Sequence, residues 1–106
     1  MTAAQDFAEK SLDAFKDRMR ISTTDENELN NLKKMLGASY IAILRLVGIK
    51  ENPDENDEEL IFERARYVYN DALDEFLHNY EQDIRYAWLS HHLDDEEIDE
   101  EETSHD

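Results

Sequence analysis

Carboxylates and asparagines crowd the acidic loop in the middle of the chain, at a spacing close to that of a calcium-binding loop. Asn52, Asp54, Asn56 and Glu63 stand at positions 1, 3, 5 and 12 of the EF-hand pattern. Position 6 is Asp57, where that pattern needs a glycine for its sharp turn. We therefore predict no calcium site and interpret the loop as a solvated acidic segment, in which Asn56 or Asp57 caps the next helix.

Histidine is the other residue type here that could bind a metal or transfer a proton. His91 and His92 adjoin an acidic run, but neighbours on a helix point about 100° apart. No second ligand pair has the spacing that would complete a metal site. We interpret the two as an exposed, frayed helix end. His78 lies on a polar face with Asp74 and Glu75 and is predicted to be a surface residue.

The sequence contains no recognisable catalytic arrangement. There is no cysteine, which excludes a thiol nucleophile and a thiolate zinc site. The serines and threonines fall in predicted caps or in the tail, without a positioned histidine, and two glycines do not form a phosphate loop. We therefore predict that the protein is not an enzyme and that it has no catalytic, cofactor-binding or metal-binding residues.

The charge of the chain is strongly negative and unevenly placed. Its 28 acids and 11 bases give a formal net charge of −17, which disfavours binding to a phosphate backbone or an anionic membrane. Residues 93–106 hold nine acids and neither Lys nor Arg. We predict that this tail is disordered and is cut by proteases near residues 93–96. The start of the chain does not resemble a signal peptide, so we expect a soluble protein made in the cytoplasm.

Two helices are predicted before the loop. With two glycines and one proline the chain cannot supply the turns of a β-sandwich, so an all-helical fold is expected. The first helix covers roughly residues 5–20, and Phe7 falls outside its apolar stripe. The second helix begins at Thr23 or Thr24 and ends at Val47, with Gly48 in the position of a left-handed cap.

A single long helix is predicted from Leu60 to Leu89, a stretch without glycine or proline. Its core stripe consists of Ile61, Phe62, Ala65, Val68, Tyr69, Ala72, Leu73, Phe76, Tyr80, Ile84 and Ala87. The fold predicted for residues 1–92 is therefore a small antiparallel bundle of three helices, followed by the acidic tail. The last helix would be about 45 Å long, and the second helix could cover only about three-quarters of it.

Six residues of this long helix lie outside its stripe and are predicted to contact a partner. They are Leu60, Arg64, Tyr67, Tyr86, Trp88 and Leu89. Tyrosine, tryptophan and arginine are the types that dominate protein interfaces. For Tyr67, an isolated exposed aromatic is the alternative. Tyr86, Trp88 and Leu89 lie at the end of the helix that the second helix cannot reach, so we expect them to be exposed in the subunit.

The helix–loop–helix as a whole resembles a known family. YIAILRLVGI, an acidic loop and ELIFERARYVYNDALDEFLHNYEQDI resemble the head–tail connector (adaptor, or DNA packaging) proteins of long-tailed phages of Gram-positive bacteria. The resemblance covers Phe15 to Leu93 and is most specific between Arg64 and Tyr80. It implies a helical, non-enzymatic protein of the virion neck, assembled as a ring below the portal protein, next to the tail-side completion proteins. DNA would pass through the ring without specific binding.

Two other classes of function stay open at this point. One is an acidic DNA mimic, whose carboxylates occupy the basic site of a host nucleic-acid-binding enzyme. Small size and a net charge of −17 suit that function as well. A disordered tail argues against it, because mimicry needs carboxylates on a rigid surface. The other is a helical chaperone or an antitoxin-like binding module, which no local pattern excludes.

Overall fold

The protein is all-helical in the computed structural model, which describes residues 1–103, with side chains through residue 93. Its elements are α1 (Ala3–Met19), α2 (Glu26–Val47), α3 (Glu55–Tyr69), α4 (Leu73–Asn79) and α5 (Glu81–Thr103). Within the described range there is no strand, which confirms the predicted fold class. The number of helices among residues 1–103 is five, not three.

The N-terminal caps of α2 and α3 lie one to three residues from the predicted ones. Asp25, not Thr23 or Thr24, caps α2 and accepts a hydrogen bond from the backbone N–H of Glu28. Thr23 has a different use, because its hydroxyl accepts the N–H of Asp25 at 3.1 Å. The predicted C-cap of α2 is confirmed, with Gly48 at φ 78° in the left-handed region.

The cap of α3 is Asp54, not Asn56 or Asp57. Asp54 and Asp57 form a reciprocal capping box, in which each side chain accepts the other's backbone N–H at 2.9 Å. The pattern D-x-x-D satisfies two of the donors that a helix start leaves unpaired. The acidic loop therefore ends two residues earlier than predicted, and Asp57 lies inside the first turn of α3.

The predicted long helix is wrong, because the chain turns twice within it. Asp71 adopts φ 57°, a left-handed conformation that Asp and Asn tolerate better than other residues with a side chain. The N–H of Ala72 donates to the carbonyl of Tyr67 at 2.8 Å, which closes the end of α3. A second break at Tyr80 separates α4 from α5. The Asn70-Asp71 pair was the local signal for the first break.

The breaks rotate the later residues away from the predicted stripe. Leu73, which follows the first break, is 40% exposed, although it was assigned to the core. Tyr69, also assigned to the core, is the last residue of α3 before the break and is 38% exposed. Phe76, by contrast, is fully buried, as predicted. A stripe drawn at 100° per residue holds only while the helix stays continuous.

Helix α2 is the centre of the molecule and packs against α1, α3 and α5. The fully buried apolar side chains come mainly from these elements: Phe15, Leu32, Leu36, Ile43, Val47, Ile61 and Phe76. Phe7 is also buried, contrary to the prediction, because α1 meets two helices: its ring lies 5.2 Å from that of Tyr40 on α2 and 6.0 Å from that of Phe62 on α3.

The body of the molecule is elongated. Its principal extents are 60 × 30 × 18 Å and its radius of gyration is 16.1 Å. A compact chain of this length would have a radius of about 13 Å. Helix α5 continues to Thr103, whereas the sequence predicted disorder from residue 93; residues 104–106 lie outside the described part. Among the helices of residues 1–103, none is long and apolar enough to cross a membrane.

Candidate partner interface

Helix α5 docks on the end of α2 through an aromatic pair. The rings of Trp88 and His92 stack with centroids 3.8 Å apart, and His92 Nδ1 lies 2.7 Å from the carbonyl oxygen of Trp88. Both rings cover Gly48, where an added Cβ would lie 2.5 Å from His92 Cε1 and 3.0 Å from Trp88 Nε1. The predicted frayed helix end is therefore wrong: these side chains are part of the fold.

An apolar strip runs along one face of α4 and α5 beside the end of α2. We define it by Leu46, Leu77, Ile84, Trp88 and Leu89, which line two adjoining shallow grooves. Leu77 is 55% exposed and Trp88 is 42% exposed. Runs of exposed apolar side chains of this kind mark interaction surfaces on small proteins. The expected exposure of Trp88 is confirmed, while Leu89 is half-buried.

The other face of α5 has a different chemistry. We call it the acidic groove; its principal side chains are Glu59, Glu63, Tyr80, Asp83 and Tyr86. Tyr86 is 63% exposed, as expected. Residues two apart on a helix point about 200° apart, so Tyr86 and Trp88 cannot belong to one patch. The predicted partner residues at the end of the helix thus divide between two surfaces.

Glu63 forms a polar network at the floor of the acidic groove. Its Oε1 accepts from Tyr80 Oη and from Arg66 Nη2, both at 2.7 Å, and its Oε2 accepts from Arg18 Nη1 at 2.8 Å. Burial alone would raise the pKa of Glu63, but these hydrogen bonds outweigh it and the pKa lies below its ordinary value of 4.5. Burial and the hydrogen bond to Glu63 together raise the pKa of Tyr80 to about 12.

The three partner residues predicted on α3 have places inside the subunit. Leu60 is only 5% exposed. Arg64 donates to Ser39 Oγ at 3.0 Å, and burial lowers its pKa. The ring of Tyr67 packs edge-on against Phe76 with centroids 5.6 Å apart. The inference that these side chains lie opposite the core is therefore wrong: Leu60 is buried, Arg64 contacts α2 and Tyr67 packs against α4. A role of theirs in a partner contact stays a prediction.

A compact cluster of Asp54, Asp57 and His91 joins the start of α3 to α5. His91 Nε2 lies 2.7 Å from Asp57 Oδ2 and 3.9 Å from Asp54 Oδ2. Asp57 is fully buried. No local pattern in the sequence predicts this contact, because 34 residues separate His91 from Asp57. It depends on the two turns that bring α5 back across α3.

Comparison of the chain with models of known protein families, with curated proteins and with solved structures gives no match.

Proposed function

We propose that the protein is a head–tail connector, a ring-forming structural subunit of a phage neck. The ring would consist of about a dozen copies, joined to the portal protein on one side and to the tail-side completion proteins on the other. The proposal combines the residue-level resemblance between Phe15 and Leu93 with one observation about surfaces. That observation is the chemical difference between the two faces of α5.

Two unlike faces on one helix favour a head-to-tail ring. A two-fold dimer buries the same patch of both copies, whereas a ring needs two different patches that fit each other. The apolar strip ends in Trp88 and also holds an exposed ion pair, in which Arg85 lies 3.4 Å from Glu81. The acidic groove offers Tyr86 and Asp83, and Asp83 has no ion-pair partner among residues 1–93. An apolar strip with balanced charge and an acidic groove are two different patches, which is what contact between the strip of one copy and the groove of the next requires.

The net charge of −17 supports the same role in a second way. A channel whose wall carries excess acid repels the phosphate backbone, so DNA moves through it without adhering. The acids are most concentrated beyond residue 93, at the end of the chain. A ring of such subunits would surround its channel or its mouth with negative charge.

Complementation between two variants tests the head-to-tail arrangement. Trp88→Ala removes the largest side chain of the apolar strip. Tyr86→Ala removes an exposed aromatic ring of the acidic groove. Each variant alone is expected to stay monomeric by native mass spectrometry, under conditions in which the unmodified protein forms rings. A mixture of the two is expected to form dimers, since the strip of one variant still fits the groove of the other. Tyr69→Ala, which removes an exposed aromatic of α3 outside both surfaces, is the control and should assemble normally.

Two results would contradict the proposal. One is rings of normal size from both Ala variants. The other is an unmodified protein that stays monomeric at high concentration and also fails to bind purified portal rings. Circular dichroism of each variant separates a lost contact from a lost fold. This check matters most for Trp88→Ala, because Trp88 also stacks on His92 over Gly48, whereas Tyr86 is 63% exposed.

The DNA mimic remains a second candidate because of one observation. Helix α5 continues to Thr103, and eight of residues 94–102 are acids. A helical backbone has a regular rise of about 1.5 Å per residue, so the acids of this segment follow one another along a regular helix. If this function holds, the full chain inhibits DNA binding by basic host enzymes in fluorescence anisotropy, and a chain ending at residue 93 does not.

A further inference from the structure

The cluster of Asp54, Asp57 and His91 has more acceptor capacity than the fold uses. In the capping box, Asp54 uses Oδ1 and Asp57 uses Oδ2 to accept backbone N–H groups. Oδ2 of Asp54 has no donor among the described residues. Oδ1 of Asp57 is buried and also has no hydrogen-bond partner in that part of the chain. Each carboxylate therefore keeps one oxygen that capping does not explain.

The unpaired oxygen of Asp57 is the more informative of the two. The side chain is 0% exposed, and a buried carboxylate oxygen without a partner costs more than an exposed one. The same carboxylate contacts His91 Nε2 at 2.7 Å through its other oxygen. At 2.7 Å this nitrogen and oxygen share a proton in a hydrogen bond. A metal ion bound by both would displace that proton and hold the two atoms about 3.3 Å apart.

We propose that Asp54, Asp57 and His91 bind one divalent transition-metal ion of the Zn²⁺ type. The ion would take the place of the proton between Nε2 and the Asp57 carboxylate, balance the charge of that buried group and recruit the outer oxygen of Asp54. Ligand atoms on one Zn²⁺ at bonds of about 2.0–2.2 Å lie no more than about 4.4 Å apart. The ligand atoms of the cluster all lie within 4.8 Å of one another, slightly more than one ion spans. The Asp54 side chain is 54% exposed, so its outer oxygen can move inward while Oδ1 keeps the capping hydrogen bond.

The donor set selects among metals. One imidazole nitrogen with two carboxylates suits Zn²⁺ and its neighbours in the first transition row, whereas Ca²⁺ and Mg²⁺ prefer sites made of oxygen alone. Three protein ligands leave a coordination position for water or for a side chain of another molecule. The site differs from the EF-hand considered in the sequence, because its decisive ligand comes from α5 and not from the loop.

The bound ion would fix α5 against the start of α3. His91 is the last residue but two whose side chain the structure describes, and the acidic run begins three residues later. A metal at this point would hold the direction in which the acidic segment leaves the body of the subunit. This inference does not depend on the connector proposal, since it concerns contacts within one chain.

Isothermal titration of the full chain with ZnCl₂ alone tests the site. We expect one Zn²⁺ per chain with higher affinity than the weak, salt-sensitive binding of the other acids. His91→Gln and Asp54→Asn should each weaken this binding at least about tenfold. Asp54→Asn is the informative variant, because asparagine caps a helix as well as aspartate does and leaves α3 intact. Excess Mg²⁺ or Ca²⁺ should not displace the ion.

Substitutions at other histidines provide the matched controls. His78→Gln, at an exposed position on α4, should leave Zn²⁺ affinity unchanged. With Co²⁺ in place of Zn²⁺, the visible spectrum should show a nitrogen- and oxygen-coordinated ion in the unmodified chain and not in His91→Gln. Equal affinity in the unmodified chain and both ligand variants would overturn the proposal. Loss of binding in His78→Gln or His92→Gln, with retention in His91→Gln, would overturn it as well.

Discussion

Helices α1 and α5 both pack against α2, but they are held there by different kinds of contact. The α1 side is apolar, with Phe15, Leu32 and Leu36 at 1% exposure or less. The α5 side depends on a few specific contacts, namely the Trp88–His92 stack over Gly48 and the pair of His91 with Asp57. Apolar burial tolerates small shifts, whereas stacking and hydrogen bonds need defined positions. Helix α5 should therefore respond to local changes that leave α1 and α2 in place.

The largest expected effect is on the α1 side. Phe15→Ala removes a fully buried ring that lies 6.1 Å from that of Phe62. The substitution should lower the free energy of unfolding by about 3–5 kcal/mol, since it combines lost burial with a cavity. Urea denaturation followed by circular dichroism measures it. For a domain this small, such a loss is a large part of the total stability.

Leu77→Ala is the matched control for that prediction. Leu77 is 55% exposed on the apolar strip, so its removal should change the free energy of unfolding by less than about 0.5 kcal/mol. Similar losses for the two variants would mean that the packing of α1 on α2 is not the main source of stability, and the contrast between the two sides would fail.

Helices α1 and α2 were also the part that the sequence predicted best. The C-cap Gly48 was predicted correctly, and the N-cap Asp25 lies within two residues of the predicted one. The apolar stripes of both helices fall on continuous helical segments, where the pattern applies. Phe7 was missed because α1 packs on two helices, which widens its buried face beyond a single stripe. Hydrophobic periodicity identifies one buried face of a helix well, but it identifies a second buried face poorly.

The region from α3 to α5 was predicted less well, for physical reasons. Asn70-Asp71 marked a turn, but without glycine or proline the pattern favoured one long helix. The break at Tyr80 has no local signal; it accompanies the hydrogen bond from Tyr80 to Glu63, 17 residues earlier in the chain. Contacts between residues far apart in the chain determine both the candidate metal site and the two faces of α5. Local patterns in one sequence do not predict such contacts.

The second-largest effect is expected for Gly48→Ala, which should disturb the docking of α5 on α2. The residue is held at φ 78°, and a left-handed conformation costs a residue with a Cβ about 1–2 kcal/mol. The new Cβ would also displace His92 and Trp88. Because the chain has one tryptophan, its fluorescence should shift towards that of a more exposed ring while most helical signal at low denaturant is kept.

Gly37→Ala tests whether that effect is specific. Gly37 lies inside α2, and an added Cβ would meet the backbone oxygen of Ala4 at 3.7 Å, an ordinary contact. Alanine is about 1 kcal/mol better than glycine in a helix interior, so this variant should be more stable and keep the fluorescence of Trp88. Equal effects of the two substitutions would show that α5 is not held by its contact with Gly48.

A smaller, pH-dependent effect is expected at Glu63. Its pKa is lowered in the folded state, so its contribution to stability is present above the unfolded value of about 4.5 and is lost as the pH falls through the folded pKa. Glu63→Gln should cost about 1 kcal/mol at neutral pH, allowing for partial solvent screening. The cost should shrink in acid. Glu51→Gln, at an exposed loop position, serves as the control and should show neither effect.

The smallest effect is expected at Tyr80, which reports on the same network from the α5 side. Burial first, and then the hydrogen bond to Glu63, raise its pKa from 10.0 to about 12. A raised pKa means that the stabilisation is complete below the unfolded value and is lost as the pH rises through the folded one. One tyrosine should therefore ionise late in an ultraviolet titration. That step should be absent in Tyr80→Phe, which loses about 0.5–1 kcal/mol with its hydrogen bond, and should move to lower pH in Glu63→Gln. If the late step persists in Tyr80→Phe, it belongs to another tyrosine, and the raised pKa of Tyr80 and its use as a probe of the hydrogen bond to Glu63 are contradicted.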